Sequence, residues 1–173
     1  MRLFLQWFRR LNRTLELITA VTSATIAGAM VLALTLSALT RFFSGTGYDW
    51  FIELPPSLVP WMVFPLLGPL LRSGSHIQVD FLPNVISGRP QLVLRFVIHS
   101  TMLAGAVIFM LAGQEAVALF QRLGQLMELE IEIPIWWMYL AFPVGFGILA
   151  LFCLELMLES LQQMVTGKPE AAS

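Results

Sequence analysis

Four long stretches of this chain contain no Asp, Glu, Lys or Arg: Leu17 to Thr40, Leu54 to Leu71, Phe96 to Gln114 and Ile133 to Leu154. The hydrocarbon core of a bilayer is ~30 Å thick and takes roughly 20 apolar helical residues to cross, so each stretch is close to spanning length. The pattern predicts an all-α integral membrane protein with four transmembrane helices.

Composition agrees. Hydrophobic residues make up 57% of the 173 and charged residues 12%, with a mean hydropathy of +0.78, against ~25% charged in an ordinary soluble domain. The spans are expected at about 17–41, 54–72, 92–122 and 133–158, within one membrane domain over 17–165 and ahead of a tail over 166–173. Loops this short leave no room for a separate water-soluble domain, so ligand capture by such a domain would have to come from another chain. Cys153 is the single cysteine, which excludes an internal disulfide, a CxxC redox pair and a cysteine metal site. Phosphate-binding glycine loops, metal-ligand spacings and nucleophile constellations are missing as well. The expectation is no enzyme, no cofactor, no bound metal and no nucleic-acid partner.

The charges between the stretches give an orientation. Arg2, Arg9, Arg10 and Arg13 precede the first span, Arg72, Arg89 and Arg95 separate the second from the third, and Lys168 follows the fourth. The other side receives only Arg41 and Arg122, beside Asp49, Glu53, Glu115, Glu128, Glu130 and Glu132. The positive-inside rule then puts both termini and the second loop in the cytoplasm. Upstream of the first span, Phe4, Trp7, Phe8, Leu11 and Leu15 recur at helical spacing, with Arg2, Gln6, Arg9, Arg13 and Glu16 on the other side. Residues 1–16 therefore read as an amphipathic helix on the cytoplasmic leaflet. The run that follows is too long for a signal-peptide core and reads as a retained anchor.

Each span has its own character. The first carries small residues at i, i+4 spacing, Ala20/Ala24/Gly28 and Ala29/Ala33/Ser37, which permit close helix approach. The second is interrupted by Pro55, Pro56, Pro60, Pro65 and Pro69. The first two suit a helix start, whereas the last three should bend or unwind it and require neighbours packed around them. The third element should run as one helix from Gln91 to Gly124, long enough to tilt or project. The fourth opens on Pro134, Trp136, Trp137 and Tyr139, an aromatic belt, with Pro143, Gly145 and Gly147 making its outer third bendable. His99 is the only ionisable side chain expected at membrane depth, and a lone histidine there reads as a hydrogen-bonded packing residue. Autonomous ion or carboxylate transporters place charge at that depth, so the chain reads as an accessory subunit.

One segment is more specific. Arg41-Phe42 close the first span, Glu53 enters the second, Trp61 and Gly68 lie within it, and Arg72-Ser73-Gly74-Ser75-His76-Ile77-Gln78-Val79-Asp80 follow. With Pro134, Trp136, Tyr139, Pro143 and Gly145 further on, these residues resemble the small membrane subunit, the Q-type subunit, of tripartite ATP-independent periplasmic transporters. The second-span prolines and the run Glu128 to Glu132 depart from that family's pattern. The resemblance implies three partners in one system: a periplasmic protein that captures an organic acid, a large membrane subunit that moves it with sodium, and this chain as scaffold. It also implies a bacterial or archaeal cytoplasmic membrane. Candidate interface or structural residues are Arg41, Glu53, Trp61, Gly68, Arg72, Gly74, His76, Asp80, Ala24, Gly28, Pro134, Trp136 and Tyr139. In the turn itself, Gly74 suits a left-handed helix end, and His76 and Asp80 can share one face of a short helix. Two rival readings stand beside it. In one, His76 and His99 ligate a b-type haem in an electron-transfer subunit. In the other, the chain oligomerises into a small channel, for which the spans lack a polar pore stripe.

Overall fold

The computed structural model describes residues 2–46, 49–73, 89–127 and 132–166. They form α1 (Arg2–Ser44), α2 (Trp50–Val63), a 3-10 turn (Phe64–Leu66), α3 (Leu67–Arg72), α4 (Arg89–Leu123), α5 (Ile135–Tyr139) and α6 (Ala141–Thr166). α2, the turn and α3 make up the second span, and α5 with α6 the fourth. Four segments, Trp7–Ser44, Trp50–Arg72, Pro90–Leu123 and Ile135–Met164, are long and apolar enough to cross a membrane. The all-α, four-span expectation holds.

α1 departs from expectation at its start. Residues 2–16 continue into the first span as one helix of 43 residues, about 64 Å long at 1.5 Å per residue and more than twice the thickness of the ~30 Å core. No turn separates an interfacial segment from the anchor. The arginines that end the apolar stretch do not end the helix, because Arg is a good helix former. Gly45 ends it: at φ 69° it enters the left-handed region, and its N–H donates to the Arg41 carbonyl. Gly124 closes α4 in the same way, at φ 59° with its N–H on the Phe120 carbonyl. α4 is otherwise continuous over 35 residues, as its lack of internal proline predicts.

The four spans are not equally enclosed. Only 11% of the apolar window of the first and 6% of that of the third is buried within the chain, against 33% for the second and the fourth. α1 and α4 are thus outer helices, and the α2–α3 unit and α6 are more enclosed. α1 also turns a polar side inward. Phe8, Asn12, Thr19, Ser23 and Ser37 are buried, whereas Leu17, Ile18, Val21, Val31 and Leu32 are exposed. Lipid tails are as apolar as leucine, so burying leucine gains nothing in a bilayer; close approach and interhelical hydrogen bonds decide the buried face.

The prolines of the second span do what their chemistry requires. Pro65 has no N–H for the Trp61 carbonyl, and the helix tightens to 3-10 geometry over Phe64–Leu66 before resuming. That change moves donors from the fourth residue back to the third and leaves the Met62 carbonyl open. Ser23 of α1 fills it, its hydroxyl donating at 2.8 Å. The break is also where α6 comes closest. A Cβ on Gly145 would stand 2.5 Å from Phe64 Cβ and 2.6 Å from the Phe64 carbonyl carbon. One on Gly68 would meet Phe152 Cδ2 at 2.6 Å, and Phe152 is fully buried. Two glycines, one from each helix, therefore set the crossing of the second and fourth spans.

The fourth span is itself broken near its start. Pro143 cannot donate to the Tyr139 carbonyl, and the helix lapses at Leu140 between α5 and α6. Before it, a short antiparallel bridge pins the third loop: Met127 N–H donates to the Ile133 carbonyl at 2.8 Å and Ile135 N–H to the Gln125 carbonyl at 3.0 Å.

Candidate functional site

Two regions carry features that packing alone does not explain: a polar base where the start of α1 meets the end of α6, and the outer faces of α1 and α4.

At the base, Glu155 of α6 is only 2% exposed and Asn12 of α1 is fully buried. Asn12 Nδ2 donates to Glu155 Oε2 and lies 3.5 Å from the Leu151 carbonyl oxygen, while Asn12 Oδ1 is buried without a partner. One turn further along α6, Glu159 accepts from Arg9 Nε at 2.8 Å. Arg72, at the end of α3, stands 3.6 Å from Glu16 of α1. On α4, His99 Nδ1 lies 3.0 Å from the Ser160 hydroxyl, which donates to the Leu156 carbonyl at 2.8 Å. With the serine hydrogen placed on that carbonyl, Nδ1 is the donor in the His99 pair. Polar side chains from all four spans thus converge at one pole.

His99 is the only ionisable side chain expected at membrane depth, and Glu155, just beyond the last uncharged stretch, is a second that the bundle encloses. Glu155 follows the last uncharged stretch directly and is as enclosed as the core. Nothing in its spacing marked it, because the burial depends on which face of α1 is turned toward α6. Asn12, standing among arginines, was equally unmarked. His99 itself packs as expected.

The other expected residues disperse. Trp61 and Tyr139 are internal: Trp61 Nε1 donates to the Trp137 carbonyl at 3.1 Å, and Tyr139 stacks on Phe120 at 4.3 Å between ring centroids. Gly68 is the packing notch described above. Pro134 caps the start of α5 in an extended conformation, and Trp136 in that helix is half-buried. Arg72 is exposed in the last turn of α3, followed by Ser73, whose N–H donates to the Pro69 carbonyl. Gly74, His76 and Asp80 lie outside the described residues, as do residues 128–131 of the glutamate run. Arg41 is exposed at the end of α1, and Glu53 is half-buried in the first turn of α2.

Ala24 and Gly28 are different in kind. Ala20, Ala24 and Gly28 are all exposed, and a Cβ on Gly28 would meet nothing within 4 Å. The second small row turns inward along its length, from Ala29, exposed, through Ala33, half-buried, to Ser37, buried. One row therefore serves the chain's own bundle and the other is open. Around the open row Leu17, Val21, Val31 and Leu32 are exposed, and on α4 so are Val97, Ile108, Phe109 and Leu111.

Among the described residues no group of three or more His, Cys, Asp or Glu is placed to hold a metal. No curated protein matches the sequence. Residues 30–163, from within the first span to the end of the fourth, match the family described as the DctQ component of tripartite ATP-independent periplasmic transporters. Four helices long and apolar enough to cross a membrane agree with that match: the chain belongs to the DctQ family, the small membrane component of these transporters.

Proposed function

We propose that this chain is the immobile scaffold of its transporter, widening the frame against which a large membrane subunit moves its cargo in an elevator-like manner. Uptake is sodium-coupled, and the cargo is an organic acid delivered by a periplasmic binding protein. Both termini lie in the cytoplasm, and the membrane is the cytoplasmic membrane of a bacterium or archaeon. The open row Ala20/Ala24/Gly28 on α1 carries this reading, since it offers close approach to a partner helix and no helix among the described residues packs on it. Substrate and sodium sites belong to the large subunit.

The test exploits the open space at that row. Ala24→Leu and Gly28→Leu add bulk where the chain itself has room, so the subunit should fold and insert while the large subunit no longer co-purifies in detergent. A complex that stays intact in both variants would place the interface elsewhere. At the opposite pole, Glu53→Lys is expected to lower uptake by weakening docking of the periplasmic protein while leaving the two membrane subunits together. Unchanged uptake removes the docking role.

A further inference from the structure

At the seam between the end of α1 and the start of α2 lies an open groove of about 530 Å³, lined by Leu34, Ser37, Ala38, Arg41, Phe42 and Ile52. Leu34, Ala38 and Arg41 follow one another at i, i+4 and i+7 along one side of α1. The groove therefore runs from a guanidinium down about 10 Å of apolar wall. Arg41 is the first charged residue after the uncharged stretch ending at Thr40, which sets it at headgroup depth. It is exposed and makes no ion pair among the described residues. Ile52, 40% exposed, forms the opposite wall, and Ala38 leaves the floor shallow.

We infer that this seam is a binding site for one phospholipid, its phosphate on Arg41 and an acyl chain lying along Leu34, Ala38 and Ile52. Three observations favour this occupant. Charge stands at one end of the groove only, and the remainder is apolar apart from Ser37, which matches the division of a phospholipid into head and tail. Arginine is suited to phosphate, offering several donors in a fixed plane. The groove lies in the seam between α1 and α2, apart from the open row at Ala24 and Gly28, so a partner helix on that row need not cover it. Asp49 and Glu53 begin α2 at the same pole, and their charge favours a headgroup that carries an ammonium beside its phosphate.

The test is native mass spectrometry of the purified complex of this chain with its large subunit, in a mild detergent. The wild-type complex is expected to retain one phospholipid per copy of this chain. Arg41→Gln, which removes a charge-assisted hydrogen bond, and Ala38→Trp, which fills the groove, should each reduce the lipid-bound fraction about tenfold or more with the complex intact. Arg41→Lys should keep part of the binding, and Arg10→Gln, at the other pole, all of it. Adding a synthetic zwitterionic phospholipid to delipidated wild-type complex should restore the bound species, whereas a diacylglycerol with the same chains should not. Equal retention by Arg41→Gln and Ala38→Trp, or equal rebinding of the diacylglycerol, overturns the site. Release of the large subunit by Arg41→Gln with lipid still bound would assign the arginine to that partner and overturn it too.

Discussion

Asn12 and Glu155 show how much a single pair can decide in a bundle whose other surfaces are indifferent to water. A carboxylate removed from solvent needs donors, and this one has the Asn12 amide. Asn12→Ala should therefore cost about 1–3 kcal/mol, the range for leaving a buried partner unsatisfied, seen as a lowered melting midpoint in detergent. Replacing both with leucine should be milder than Asn12→Ala alone, because no orphaned polar group remains. An unchanged midpoint for Asn12→Ala would mean that Glu155 draws its stabilisation from another group. The sequence hid this pair for a physical reason. Composition marks which segments enter the membrane, but the rotation of α1 about its axis is set by contacts with the second span and with α6, the latter some 143 residues away, and short-range spacing carries no record of it.

At the scale of the helix, the broken second span was legible and its repair was not. Pro60, Pro65 and Pro69 predicted a distortion, and the 3-10 turn Phe64–Leu66 is that distortion. The serine that completes the Met62 carbonyl comes from another helix, as does the glycine that lets α6 approach it. Gly145→Ala should be poorly tolerated, at about 1–3 kcal/mol, since its methyl group meets Phe64 backbone as well as side chain and backbone cannot swing aside. Gly28→Ala, with nothing within 4 Å, should leave the melting midpoint of the isolated chain unchanged. The pair of measurements separates a glycine that shapes the bundle from one that faces outward; equal effects would contradict the packing described here. Continuity of α1 through its arginines was the opposite case. The spacing of residues 1–16 predicts an amphipathic helix before the first span, and the two are one helix.

For the whole molecule, four uncharged stretches were enough to give four spans, because in a bilayer length and apolarity constrain topology almost by themselves. The candidate site was far less legible. The open row at Ala24 and Gly28 was visible as spacing, while the polar base was not visible at all. Orientation can be measured directly, since Cys153 is the only cysteine and is fully buried. In a Cys153→Ala background, Thr46→Cys should react with a membrane-impermeant maleimide on intact cells and Arg10→Cys should not. Labelling of the second and not the first would invert the topology proposed above.

The polar base has a consequence in time. Arg9 and Asn12 are made well before Glu159 and Glu155, their partners. At ~5–20 residues per second, the 143 residues between Asn12 and Glu155 take roughly 7–29 s to synthesise. For that interval the first helix is in or at the membrane with Asn12 unanswered by α6, although Met62, which accepts from Ser23, is made earlier. The contacts between the start of α1 and α6 thus form only after α6 has been made, so a nascent chain that stalls before α6 is left with an open polar face at the start of α1. Such a face is a ready target for quality-control proteases.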